Sequence, residues 1–127
     1  MKSRIINSVD TETPQGGYSQ ALEISGADRI LFVSGQIPTD KLGQCPDAFE
    51  DQARLVWANI EAQLIAAGMN FDNLVRHTTY LANRKYCEQN SKTRQSILGN
   101  HRAALTVIIA EIYDETWLLE VEAIAVA

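Results

Sequence analysis

The most regular hydrophobic pattern in this chain is helical. Apolar side chains recur every three or four positions across residues 48–67, which predicts an amphipathic helix there. Asp47 is a natural N-cap for this helix, and Glu50 completes a capping-box pattern with it. Gly68 supplies a C-terminal stop. A second, more polar helix is predicted over residues 85–98, just before another glycine.

Alternating or continuous apolar runs predict the strands. The alternation from Leu74 to Leu81 predicts one strand, and two more are predicted near residues 105–112 and 117–126. Closer to the N-terminus, the short strands 21–24 and 30–33 flank a turn that contains glycine, which indicates a hairpin. The side chains predicted to share one face of the 74–81 strand are Val75, His77, Thr79 and Leu81.

The order of these elements predicts a single domain over residues 1–127. Strands, a helix, a strand, a helix and strands follow one another, so we expect an α+β fold with two helices on one face of a mixed sheet. The segment Leu105–Ala110 is apolar at both parities, the pattern of a strand that is covered on both sides. Two helices cover only one side. A second copy of the chain is the simplest cover for the other side, and we therefore expect an oligomer.

Composition and charge narrow the functional classes. The chain is 46% hydrophobic and 21% charged, with a net charge of -5 and dispersed Lys and Arg residues, which argues against an extended nucleic-acid groove. Cys45 and Cys87 lack metal-binding or redox spacing and indicate a reducing compartment, most simply the cytoplasm. No signal peptide or membrane span is found, so no membrane association is expected. Neither a metal site nor another cofactor is expected.

Two carboxylates stand inside the last apolar strand. Glu120 and Glu122 are two residues apart, so both side chains point to the same face, flanked by Leu118 and Ile124. One interpretation is a solvated face or a structural pairing with Arg or Lys across the sheet. The other is a carboxylate in an apolar cleft, with its pKa raised by desolvation and by its neighbour. The spacing alone leaves both interpretations open.

Three further features admit a structural and a functional interpretation. The segment Gly16–Gln20 is either a flexible turn or a glycine-rich loop that places Tyr18 over a ligand. The segment Ser34–Pro38 ends a strand at Gly35 and is either a plain turn or a source of ligand-facing amides. His77 lies among threonines on a strand, where a core or interface histidine is the simpler interpretation.

Taken together, these segments resemble the reactive intermediate deaminase family (RidA/YjgF). The segment Gly16–Gln20 looks like the Gly-Pro-Tyr-x-Gln loop of that family, with Gly17 where proline is usual. The segment Phe32–Pro38 matches its Ser-Gly-Gln-Ile/Val-Pro strand end, and Ala66–Gly68 fits its helix-to-strand turn. The segment Glu120–Ala125 is similar to its C-terminal Glu-x-Glu-Ala-x-Ala strand. The motifs follow in order across nearly the whole chain.

The resemblance implies a chorismate-mutase-like (YjgF) subunit that assembles as a homotrimer with ligand clefts between subunits. It also implies hydrolysis of reactive enamines and imines derived from amino acids, with release of ammonia and a 2-keto acid. In that scheme a strand arginine binds the substrate carboxylate and a glutamate on the last strand orients water. Carried over by position, the water-orienting residue is Glu120, the ring-packing residue is Tyr18, and the other cleft residues are Ser34, Gly35 and Asn90.

The arginine of the family does not carry over to this chain. Its position falls on Leu105 and that of its nearby cysteine on Val107, while Glu122 accompanies Glu120. Loss of a buried Arg–carboxylate contact costs about 2–5 kcal/mol, and leucine disfavours a carboxylate placed against it. We therefore expect a neutral or cationic ligand, such as an amine or imine without a carboxylate, rather than an ordinary 2-imino acid. Arg102, which precedes the strand, is the alternative source of a cation.

Two other functions compete with imine hydrolysis. The first is a non-catalytic trimer that binds a metabolite for sensing or regulation. The second is RNA cleavage or inhibition of translation, activities also attached to members of this family. The acidic charge balance and the lack of a basic stripe disfavour this second function.

Overall fold

Six strands and two helices make up the protein, described over residues 1–127 by a computed structural model. Two short 3₁₀ turns, Phe71–Asn73 and Arg84–Tyr86, precede β4 and α2. The elements in chain order are β1 (Lys2–Ile6), β2 (Ala21–Ser25), β3 (Ile30–Gln36), α1 (Phe49–Ala66), β4 (Leu74–Leu81), α2 (Cys87–Leu98), β5 (Ala104–Ile109) and β6 (Leu119–Val126).

The main sheet has four strands in the order β3-β6-β4-β5. β6 runs antiparallel to both of its neighbours, whereas β4 and β5 are parallel, so the sheet is mixed. β1 and β2 form a separate antiparallel ribbon. The predicted α+β class, with two helices and a mixed sheet, is confirmed.

The core lies between the sheet and the helices. Trp57, Ile60 and Leu64 of α1 follow the helical three-and-four spacing and are fully buried. They pack against alternate residues of β6, including Val121 and Ala125, which are also fully buried. The period of two along β6 therefore turns its other residues, Glu120 and Glu122 among them, to the opposite face. No helix is long and apolar enough to cross a membrane.

The limits of α1 agree with the prediction, but its N-cap does not. The N-cap residue is Ala48, and no side chain caps the helix, so the capping box predicted from Asp47 and Glu50 is wrong. Glu50 instead forms an ion pair with Arg54 one turn later, at 3.1 Å. At the other end Gly68 has a φ of +71° and donates to the carbonyl of the helix's last turn, which confirms the predicted stop.

The predicted hairpin between the second and third strands is wrong. β2 pairs with β1, and β3 pairs with β6. The turn between β2 and β3 is hydrogen-bonded to the C-terminal residue, because the backbone N–H groups of Asp28 and Arg29 both donate to the carbonyl of Ala127. Long-range pairing with the last strand thus prevails over a local turn.

β4 has the predicted limits, Leu74–Leu81. His77, Thr79 and Leu81 share the buried face, as predicted. Val75 does not join them, because the register shifts between Leu74 and Arg76 and the fully buried position goes to Leu74. The shift illustrates how one irregularity in a strand reverses the alternation before it.

β5 is an edge strand and is shorter than predicted, ending at Ile109 rather than at residue 112. Its apolar pattern predicts cover on both sides, yet Val107, Ile108 and Ile109 are exposed in the single chain. The opposite face of the sheet is also uncovered, since the side chain of Phe32 is 73% exposed. The isolated chain therefore presents apolar surface both at the β5 edge and on the face away from the helices.

Candidate functional site

The two carboxylates of β6 lie on the sheet face away from the helices. Glu120 stands opposite Tyr80 of β4, and Glu122 stands opposite Thr78. The Tyr80 hydroxyl donates to Oε1 of Glu122 at 3.0 Å. This hydrogen bond, followed by the charge of Glu122, raises the pKa of Tyr80. Neither glutamate forms an ion pair within the chain, so the structural pairing with Arg or Lys that the spacing left open is not present.

Glu120 lies directly against Gly35. A Cβ atom added to Gly35 would stand 2.0 Å from Oε2 and 2.8 Å from Cδ of Glu120, far inside van der Waals contact. The absence of a side chain at Gly35 thus makes room for the carboxylate. We call Ser34, Gly35, Glu120 and Glu122 the Glu120 half-site.

A cleft of about 280 Å³ opens beside this half-site on the same face. Ser34 and Glu122 line it together with the apolar side chains of Phe32 and Ile124. Arg76 of β4 also lines the cleft, and its Nη2 donates to the Thr106 hydroxyl at 3.0 Å. The face therefore combines apolar walls with carboxylates and a cation.

The remaining predicted residues lie on the helix side of the sheet and at its β5 edge. Leu105 and Val107 are in register with His77 and Thr79, the buried face of β4. The loop that carries Tyr18 is joined to the start of β5, where the Ser19 N–H donates to the Ala103 carbonyl at 3.1 Å. Asn90 lies on the buried face of α2, which packs on that side. We call Tyr18, Asn90, Leu105 and Val107 the Tyr18 half-site.

Arg94 is a residue of this region that the sequence analysis missed. It lies one turn after Asn90 on the buried face of α2, and only 4% of it is exposed. Its Nη2 donates to the Gly16 carbonyl, and its Nε is buried without a hydrogen-bond partner. Burial lowers the pKa of Arg94, whereas a negative charge on Tyr18 raises it. The signal in the sequence was an arginine four residues after Asn90, on the face that the polar helix α2 turns inward.

Arg102, the alternative source of a cation, is held elsewhere. Its Nη1 donates to the carbonyl of Gly99 at 2.8 Å and to that of His101 at 3.3 Å. These are carbonyls at the end of α2, where a cation also complements the helix dipole. Arg102 thus serves the helix terminus and not the Tyr18 half-site.

His77 is a core residue, as its surroundings on the strand indicated. It is 2% exposed and packs edge-to-face on Trp57, with ring centroids 5.3 Å apart. Burial lowers the pKa of His77 to about 3, assisted by the positive charges of Arg94, His101 and Arg76. Its imidazole is therefore neutral near pH 7, and its Nδ1 has no partner.

A single chain does not bring all the predicted site residues together. The Glu120 half-site lies on the outer face of the sheet, and the Tyr18 half-site lies on the helix side beside β5. The intervening sheet separates them, because paired residues on neighbouring strands point to the same side. The site predicted from the sequence is thus present as two halves on opposite faces.

Comparison with known proteins gives a consistent family. The family model described as Endoribonuclease L-PSP matches residues 9–127. The "RutC family protein PH0854" of Pyrococcus horikoshii is 32% identical over 123 residues, which is 95% of each chain. The "Putative reactive intermediate deaminase TdcF" of Escherichia coli (strain K12) is 28% identical over 116 residues, 87% of each chain.

Solved structures agree with the sequence matches. YyfB of Yersinia pestis, described as a protein of the conserved Rid family, superposes with a TM-score of 0.86 at 26% identity, over 100% of both chains. The crystal structure of E. coli TdcF with bound serine gives a TM-score of 0.73 at 26% identity, over 98% of both chains. The likeness thus extends over the whole fold.

Proposed function

The chain belongs to the Endoribonuclease L-PSP family, the RidA/YjgF family that its motifs resemble, and from that membership we infer a hydrolase of small reactive imines and enamines. Residues 1–127 form one domain, and three copies assemble into a trimer with a ligand cleft at each subunit boundary. The name of the relative TdcF, which includes reactive intermediate deaminase, supports this reaction class. The free cysteines Cys45 and Cys87 fit a reducing cytoplasm.

The observation that carries the proposal is the placement of Glu120. Its carboxylate rests against the backbone of Gly35, forms no ion pair, and lies on the same sheet face as the cleft lined by Glu122. A carboxylate without a cation partner is free to accept a proton from water, and contact with a glycine leaves space for a ligand next to it. Both features suit a general base.

The chemistry is a hydrolysis of a C=N bond. Glu120 takes a proton from a water molecule as the water oxygen bonds to the imine carbon, and the imine nitrogen is protonated. The resulting carbinolamine then loses its nitrogen as ammonia while its hydroxyl proton is removed, leaving a C=O bond. One water is consumed for each ammonia and carbonyl compound formed, and Glu120 ends in its starting state.

The trimer supplies what a single chain lacks. The two half-sites lie on opposite faces, so a Glu120 half-site can meet a Tyr18 half-site only from another copy. A head-to-tail contact of two different surfaces closes into a ring when the rotation permits. The exposed apolar side chains of Phe32 and Ile108 supply surface for such a contact, which also accounts for the two-sided apolar pattern of β5.

At the Glu120 end of the cleft we propose a neutral or cationic group. Glu120 and Glu122 both face this region, and neither forms an ion pair within the chain. Carboxylates favour an imine or its protonated iminium form, which carries a positive charge. The charge at the other end of the ligand depends on the Tyr18 half-site.

The test compares Glu120→Gln with Glu122→Gln. Small imines generated in situ, one with and one without a carboxylate, are followed by their decay and by ammonia release. Glu120→Gln should lower kcat about 100-fold or more, because the amide is no base. Glu122→Gln, which removes the charge two residues away, should retain most of the activity. Equal activity of wild-type protein and Glu120→Gln on every imine would refute the proposal.

A second function, ligand binding without turnover, is favoured by Leu105. Without a strand arginine, a pocket can keep its affinity for small amines while losing the orientation that hydrolysis needs. The crystal structure of TdcF with bound serine shows a small amino acid held by a related protein. Thermal stabilisation by amines or keto acids with no product from any imine would favour this function.

RNA cleavage is disfavoured, although it is in the name of the family model. The net charge of -5 is unfavourable for a phosphate backbone. Binding of RNA that weakens with salt and is lost in an Arg84→Ala, Lys85→Ala variant would restore this function.

A further inference from the structure

We propose that Arg94 is the anion-binding residue of the Tyr18 half-site and that the ligand therefore carries a carboxylate or similar anionic group at that end. The inference rests on the inter-subunit cleft proposed above, and it deepens that proposal by naming a specificity-determining residue. It also changes the sequence-based expectation, in which the lack of an arginine at position 105 implies a ligand without a carboxylate.

Arg94 is a buried cation without a carboxylate partner. It takes no part in any ion pair of the chain, and its hydrogen bonds go only to the Gly16 carbonyl and, at 3.4 Å, to the Ser91 hydroxyl. Its Nε is buried and donates to nothing. Buried charges are normally paired, because desolvation of an unpaired one is costly. An anion from outside the chain would supply the missing partner.

The loop that carries Tyr18 lies next to Arg94, because Arg94 donates to the carbonyl of Gly16, two residues before Tyr18. A negative charge on the Tyr18 oxygen stabilises the charged form of Arg94 and so raises its pKa against the effect of burial. A carboxylate beside the Tyr18 hydroxyl would receive the same stabilisation from the guanidinium.

Arg94 also lies on the side of the sheet to which Leu105 points. Its positive charge is the second-largest cause of the low pKa of His77, after burial. His77 and Leu105 are register partners on neighbouring strands and therefore face the same side. The side of the sheet to which Leu105 points thus has a positive charge nearby on α2, although β5 itself carries none there.

A purely structural role is the competing explanation. By donating to the Gly16 carbonyl, Arg94 ties the loop before Tyr18 to α2. Loss of this tie would lower stability and loosen Tyr18 for every ligand alike. Loss of an anion site would instead weaken only ligands that carry the negative charge.

The experiment measures binding, so that it does not depend on turnover. Isothermal titration calorimetry is performed with 2-oxobutanoate and with its uncharged amide, on the wild-type trimer, Arg94→Met and the matched control Arg102→Met. We expect Arg94→Met to weaken 2-oxobutanoate binding about 30-fold or more, and to leave amide binding and the Arg102→Met affinities near wild type. Arg94→Met combined with Leu105→Arg should recover the keto acid, because the cation returns to the strand.

The outcomes separate the two proposals. A wild-type protein that binds neither compound, or binds both equally, overturns the role of Arg94, whatever the imine assays show. Equal losses for acid and amide in Arg94→Met, without recovery in the double variant, also overturn it in favour of the loop tie. Selective loss with recovery supports it even if the wild-type protein hydrolyses no imine. If Arg94→Met fails to fold, Leu105→Glu provides the test, since a carboxylate at this position of the Tyr18 half-site should abolish keto-acid binding and spare the amide.

Discussion

Gly35→Ala gives the most direct test of the Glu120 half-site. The new methyl group would stand 2.0 Å from Oε2 of Glu120, whereas ordinary van der Waals contact begins at 3.4 Å. The carboxylate must therefore retreat by about 1.4 Å or turn to another rotamer. No backbone atom is among the three nearest contacts, and the φ of Gly35 lies outside the left-handed region, so the main chain can stay in place.

The expected result is a loss of activity with little loss of stability. Displacement of a reacting group by about 1 Å costs on the order of 100-fold in rate, and we expect kcat of imine hydrolysis to fall by that factor. The free energy of unfolding should change by no more than about 1 kcal/mol, because a mobile side chain gives way and alanine restricts the unfolded chain. Ammonia release and urea unfolding measure the two quantities.

Two further variants sharpen the interpretation. Gly43→Ala meets nothing within 4 Å but has a φ of +79°, so it should lose about 1 kcal/mol of stability and keep its activity, the opposite outcome. Gly35→Ala combined with Glu120→Asp withdraws the carboxylate by one methylene and should regain part of the lost rate. Full activity in Gly35→Ala alone would show that the position of Glu120 does not govern the reaction.

Three other predictions follow from single features. His77 has a pKa of about 3 in the folded chain and about 6.5 in the unfolded one, so only the unfolded state binds the extra proton as the pH falls. The free energy of unfolding should therefore drop by about 2 kcal/mol between pH 7 and pH 5. In His77→Leu, the free energy measured by urea unfolding should depend less on pH. Gly68→Ala forces a side chain to a φ of +71° and should lower the free energy of unfolding by about 1 kcal/mol, measured by the same method; an unchanged midpoint would contradict a role for the left-handed cap. Phe32→Asp should convert trimer to monomer in analytical ultracentrifugation with the far-ultraviolet circular dichroism preserved, because Phe32 is exposed in the protomer; a wild-type monomer would refute the assembly.

Helix and strand limits were predictable wherever a local period was strong. Residues 48–67 repeat apolar positions at the helical spacing and form α1, and Leu74–Leu81 is β4 at both ends. The capping box was wrong because the Asp47 and Glu50 side chains were not recruited at that helix start. The start of α1 is instead held by the buried Gln52, which donates to the carbonyls of Pro46 and Thr116. Such a hydrogen bond joins segments that are distant in the chain, so no hydrophobic period or local motif predicts it.

The sequence predicted the residues of the candidate site, but not that they lie as two half-sites on opposite faces of the sheet. The period of two places Glu120 and Glu122 on one face, and the structure agrees. The contact of Gly35 with Glu120 was not predicted, because it depends on the pairing of β3 with β6. Arg94 was missed because its interest as an anion-binding residue depends on its burial, which the sequence does not show. An arginine on a polar helix reads as solvated until the fold turns that face inward.

By itself the sequence determined the local periods, the glycine stops and the family motifs, because each depends on residues that are close in the chain. The tertiary structure decided which strands pair and which face each one presents. The parallel register of β4 and β5 turns Leu105 toward the helices, while the antiparallel register of β4 and β6 turns Glu120 away from them. Register is a long-range property, since a shift of one residue reverses every side chain of a strand. For that physical reason the two halves of the site, and the buried charge of Arg94 beside one of them, emerged only from the folded chain.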